Sequence, residues 1–168
     1  MANTYIQLSN VTVGSGGAAT ISFTSIPQTY TDLLILYSCR SSDSATNWNN
    51  MKLSFNGSAS DGVWRFLAMY NAGMAEGSGG QVEVWINFNA STGNSFSNSY
   101  VYITDYAVAA SKNIYVDTAA EGNAQDQILG MVGGLWNNNA AITSITATPS
   151  SGSFMQYSSA TLYGIKKN

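Results

Sequence analysis

Residues 51–57, MKLSFNG, set the reading of the fold. Met51, Leu53 and Phe55 alternate with Lys52, Ser54 and Asn56, the period of a strand with one face in a core and one in water. Asn56 and Gly57 then supply turn chemistry. Working outward, TISFTSI at 20–26 repeats the pattern, with Ile21, Phe23 and Ser25 set against Thr20, Ser22 and Thr24. QVEVWINFN at 81–89 repeats it again, with Val82, Val84, Ile86 and Phe88 on one face and Glu83, Trp85, Asn87 and Asn89 on the other.

Turn signals separate these runs: GSGG at 14–17 and 77–80, STGN at 91–94, EGN at 121–123 and PSSGS at 149–153. Strands recurring at this spacing, with 16 glycines and only 2 prolines, favour an all-β antiparallel sandwich of jelly-roll type over alternating helix and strand. No internal repeat stands out and the Gly/Ser clusters are short enough for hairpin loops, so residues 1–168 are expected to form one β-sandwich domain. One stretch breaks the period. In SDGVWRFLAMYNAG at 60–73, Val63, Phe66, Leu67 and Tyr70 fall at helical spacing, with Asp61 as an N-cap and Gly73 just past the end. At most one short helix is therefore expected. The alternating reading through Trp64, Phe66, Ala68 and Tyr70 is equally open.

Three runs are apolar on both faces. DLLILY at 32–37 offers Leu33, Ile35 and Tyr37 one way and Leu34 and Leu36 the other. YVYITDY at 100–106 sets Val101 and Ile103 against Tyr100, Tyr102 and Tyr106. The last run sets Ala160 and Leu162 against Tyr163 and Ile165. In a sandwich one face of each meets the opposite sheet, so the other needs a loop, a neighbouring subunit or another protein.

Composition narrows the class of work. Charged residues are 9% of the chain, against about 25% in an ordinary domain, so polarity comes from Ser, Thr, Asn and Gly. A net charge of -3 and six scattered basic residues give no footprint for a phosphate backbone, and nucleic-acid binding is not expected. No window approaches membrane-spanning length and MANTYIQLSN lacks a signal-peptide pattern, so neither a membrane nor export is expected. Cys39, the single cysteine, lies in LLILYSC and reads as a buried small hydrophobe. The chain has no histidine, which removes the ordinary serine and cysteine triads and most zinc sites.

The carboxylates give little chemistry. Glu83, alternating with Trp85, is the best candidate for a sugar-cleaving acid, but no second carboxylate flanks it and it reads first as a solvated glutamate. Asp117, Glu121 and Asp126 in DTAAEGNAQD match no calcium loop and read as an acidic surface loop. The glycine clusters lack the lysine and context of nucleotide loops. No enzyme activity and no cofactor are expected. Aromatic residues stand out instead: Trp85 and the Tyr100, Tyr102, Tyr106 stripe, together with Tyr163 and Ile165, are the candidate interface residues, because aromatic surface with few charges is what an interface core is made of.

Several blocks together carry a resemblance: ISFTSIPQTYTDLLILYSCRSS at 21–42, MKLSFNG, SNSYVYITDYAVAASK at 97–112, and LWNNNAAITSITATPSSGSFMQYSSATLYGIKKN at 135–168. In this order the Phe-x-x-Ile-Pro-x-x-Tyr-x-x-Leu opening, the strand ending Phe-Asn-Gly, the Trp before Ile-Thr-x-Ile and the Ser-x-x-Leu-Tyr-Gly-Ile close resemble a family of small structural proteins of tailed bacteriophages, including cyanophages. NAGMAEGSGG at 71–80 has no counterpart in that pattern. The resemblance implies a sandwich protein of the virion, either a capsid decoration (cement) protein or part of a tail fibre. The short length, with no attachment region or shaft, favours decoration. It further implies binding to the major capsid protein, a homotrimer, and a place on the capsid surface after synthesis in the host cytoplasm. A carbohydrate-binding module for a host glycan is the alternative.

Overall fold

The computed structural model describes residues 4–44, 49–70, 73–122 and 126–166. Among them twelve strands form and no helix: β1 (Tyr5–Thr12), β2 (Ile21–Phe23), β3 (Asp32–Ser38), β4 (Asn49–Phe55), β5 (Gly62–Tyr70), β6 (Gly73–Gly79), β7 (Glu83–Ile86), β8 (Asn98–Ile103), β9 (Lys112–Gly122), β10 (Asp126–Trp136), β11 (Ile145–Pro149) and β12 (Ser159–Ile165). They make a β-sandwich in which every strand pairing is antiparallel. One sheet has eight strands in the order β1-β12-β3-β8-β9-β10-β5-β6, the other four in the order β2-β11-β4-β7.

The alternation in MKLSFNG becomes β4, with Met51, Leu53 and Phe55 buried and Lys52 and Ser54 half-buried. Asn56 and Gly57 both take positive φ, 52° and 79°, while Phe55 and Ser58 exchange two backbone hydrogen bonds. This two-residue turn ends β4 and sends the chain across to the large sheet. Leu33, Ile35, Val101, Ile103, Val116 and Val132 from the large sheet meet Ile21, Phe23, Leu53, Phe55, Ile86 and Ile145 from the small one in a single core. Phe55 and Trp136 span the two layers with ring centroids 5.7 Å apart. Each such side chain contributes about 1.5–3 kcal/mol by leaving water.

One open reading is decided and two local expectations are corrected. The helix through Val63, Phe66, Leu67 and Tyr70 is strand β5, because β10 and β6 pair with it along its length and the alternating set Trp64, Phe66, Ala68 and Tyr70 turns inward. Tertiary pairing outweighs a helical spacing that only four residues supported. GSGG at 77–80 is not a turn, since Gly77 and Gly79 lie within β6. The Phe66 and Trp64 rings lie on these glycines so closely that an added Cβ would come within 2.5 and 2.4 Å of them. Asp117 and Glu121 are not in a loop but on β9, which continues through Gly122 and pairs with β10.

β12 explains its own two-sided pattern. It lies between β1 and β3, with Ala160 and Leu162 in the core, Ile165 buried and Tyr163 half-buried. Cys39 is fully buried, and that burial raises its thiol pKa far enough to keep it protonated.

Candidate protein-contact face

The large sheet has two faces, and the small sheet covers only one. On the other, strand registers place side chains in rows. One row runs Tyr163, Leu34, Tyr102, Tyr115, Gly133, Arg65. The next runs Leu36, Tyr100, Asp117, Met131, Leu67, Glu76, and a third runs Ala119, Leu129, Met69, Met74. Met74 is 71% exposed, Met69 55%, Leu129 53% and Met131 48%. Val63, Leu67, Tyr115 and Leu36 are exposed as well. Scattered exposed apolar residues are ordinary, whereas a contiguous field of them marks a contact surface.

Tyrosines stiffen one side of this field. The Tyr100 and Tyr102 rings stack with centroids 6.3 Å apart, and Tyr115 meets Tyr100 edge-on at 6.5 Å. The Tyr102 hydroxyl donates to the buried Asp32 carboxylate at 2.6 Å, and the Asp105 N–H donates to the other Asp32 oxygen at 2.9 Å. That hydrogen bond, reinforced by burial, raises the Tyr102 pKa above its ordinary value, while burial beside Tyr5 and Tyr115 raises Tyr100. Both hydroxyls stay protonated donors across the physiological range.

The six expected interface residues divide. Tyr100, Tyr102 and Tyr163 lie on the face, half-buried among their neighbours. Trp85 does not: it is 3% exposed, packs edge-to-face on Phe66 at 5.0 Å, and presses on Gly130, where a Cβ would come within 2.6 Å of its ring. β7 is the edge of the small sheet, and Trp85 turns off that edge into the gap between layers. Tyr106 is also corrected. Strand β8 ends at Ile103, and Tyr106 is fully buried with its hydroxyl donating to the Pro27 carbonyl. Ile165 is buried within the chain. These three side chains fill the interior and offer nothing to a partner. The sequence reading missed Tyr115, Leu129, Met131, Leu67, Met69 and Met74. The signal for four of these was the alternation along β10 and β5, interrupted in β10 by Gly130, Gly133 and Gly134.

Glu83 binds Asn50 Nδ2 at 2.5 Å and lies 4.0 Å from Lys52, so it belongs to a surface ladder of the small sheet. Burial raises its pKa and Lys52 partly offsets the rise. Among the described residues no group of three or more Asp, Glu or Cys side chains could hold a metal ion. No protein-family model, curated protein or solved structure matches the chain.

At one end of the face lies a hollow of about 540 Å³ whose lining includes Asn87, Phe96, Asn98, Glu121 and Gln127. Glu121 accepts hydrogen bonds there from Ser95, Thr92 and Asn87, which fixes the 91–95 loop. Arg40 fixes the same loop from inside, its guanidinium donating to the carbonyls of Asn89, Ser91, Thr92 and Ser95 at 2.7–3.2 Å.

Proposed function

We propose that this chain is a non-enzymatic structural protein of a tailed-phage virion, a capsid decoration protein of jelly-roll type that binds the major capsid protein and stabilises the head. The observation that carries the proposal is the uncovered apolar face of the eight-stranded sheet in a chain with so few charges. A protein that acts by many copies of one contact needs hydrogen-bonding and apolar surface more than a pocket, since avidity multiplies a modest affinity. The order of sequence blocks supplies the virion context. Phage lacking the protein should assemble heads that lose DNA on heating sooner than complete heads. Equal heat resistance would sink the proposal.

A second reading has one observation behind it. The hollow beside Phe96 joins an aromatic ring to amide and carboxylate groups, the chemistry that holds a sugar on a stacking platform. On this reading Phe96→Ala abolishes binding on a glycan array and leaves attachment to heads intact. Trp85→Ala is a poor test of it, because that indole is core.

A further inference from the structure

Asp117 and Arg65 stand on the apolar face without a partner among the described residues, and their charges complement each other. Asp117 lies directly across from Tyr100, and Tyr102 directly across from Tyr115, so three rings and one carboxylate occupy the corners of a block two strands wide. These four side chains line an open hollow of about 460 Å³. Tyr102 is held in place by Asp32, which makes the hollow preformed. Among the described residues the Asp117 carboxylate makes no hydrogen bond and no ion pair. Ring faces carry negative potential and so does the carboxylate, which selects for a cation. A guanidinium fits best, because its plane stacks on rings while its N–H groups donate to the carboxylate.

The same face supplies such a group. Arg65 is exposed, and among the described residues it has neither hydrogen bond nor ion pair. It sits on β5, two strands from Asp117 on β9, or about 10 Å across the sheet. The surface between them is apolar, with Met131 and Leu67 in the register positions that separate the two.

We propose that the Tyr100/Tyr102/Tyr115/Asp117 hollow is a guanidinium-binding site, and that it takes Arg65 from a second copy of this chain. The inference rests on reading the outer face as a protein contact. Three things on the face favour a second copy. Cation and cation site lie on one surface, so the surface satisfies itself, and copies related by symmetry make every contact reciprocally or around a closed ring. Eight exposed apolar side chains share this face, a contiguous field of the kind that a protein contact covers. Glu76, in the row next to Arg65, adds a second acceptor at the rim.

Charge reversal tests this on the full chain. The mass in solution is measured by light scattering at about 1–100 μM, which brackets a contact of micromolar Kd. The unaltered protein should associate. Arg65→Glu and Asp117→Arg should each weaken association at least tenfold, and the double reversal should recover most of that loss. Both positions are surface-facing, and near-ultraviolet circular dichroism of each variant checks that the fold is kept. If either single variant misfolds, Arg65→Gln replaces the first and Asp117→Asn the second, with the same weakening expected. A single-copy mass throughout overturns the inference, as does association indifferent to both reversals or a double variant no better than the singles. Glycan binding lost in Asp117→Arg with no change of mass would also overturn it, assigning the hollow to a sugar. A protein that stays single in solution yet is needed for heat-stable heads would refute this contact and leave the virion reading standing.

Discussion

At the scale of the residue, the interior of this low-charge chain holds two cations that work as ties. Lys112 is 1% exposed, and its ammonium donates to the carbonyls of Val108, Ala110 and Ala140 while lying 5.3 Å from the Trp136 ring centroid. Burial lowers its pKa; the carbonyls and the indole face oppose that by favouring the charged form. Lys112→Met leaves the Ala110 and Ala140 carbonyls without a donor, while Val108 keeps the Ala110 N–H, and each such loss costs about 1–3 kcal/mol. The expected result is a loss of about 3 kcal/mol in denaturant unfolding, with little change in slope. Glu83 gives a pH test. Its folded pKa is raised, so the folded chain holds this proton more readily than the unfolded one. Its contribution is fully present below the ordinary glutamate pKa and is lost as pH rises through the raised value. Melting temperature followed from about pH 4 to 7 should therefore fall less steeply in Glu83→Gln than in the parent.

At the scale of the element, strands that look alike in sequence differ in what pairing asks of them. β12 joins the edge strand β1 to β3 and fills both faces, so a chain ending before Ser159 loses the strand that holds β1 and exposes the Leu33–Ile35 side of the core. Such a chain should be insoluble or unfolded by circular dichroism. Removal of residues 167–168 should leave the melt unchanged. The strands were legible where one face was apolar and the other polar, as in β2 and β4, because burial on one side imposes period two. β5 was ambiguous because both of its faces carry large apolar groups, and β10 passed unread because glycine at 130, 133 and 134 interrupts its alternation. Those glycines have a packing reason at two positions: at Gly130 an added Cβ would meet the Trp85 ring, and at Gly134 it would come within 2.8 Å of Val82.

At the scale of the whole molecule, an eight-stranded sheet backed by a four-stranded one leaves one broad face with no layer of its own. Met131 stands near the middle of that face and is 48% exposed, so Met131→Glu should leave the melting temperature within a few degrees. The same substitution should abolish self-association, because it buries an unpaired charge where a second copy covers the face, and should weaken attachment to heads through the avidity lost with the assembly. Light scattering and a head-binding assay read the two effects separately.

The sequence by itself determined that the chain is all-β, where the Asn56-Gly57 turn falls, and that Tyr100 and Tyr102 oppose an aliphatic face, since these depend on period and turn chemistry within a few residues. Its apolar run also placed Cys39 in the interior as a small hydrophobe, where the structure has it. Tertiary structure decided which apolar faces meet. Trp85 went inside because β7 is an edge and Gly130 makes room for its ring. Asp117 came to lie beside three tyrosines because β9 pairs with β8, and Leu129 and Met131 joined Met69 and Leu67 because β10 pairs with β5. A contact face in a sheet is made across strands, between residues distant in the chain, and a pattern read along one strand does not contain it.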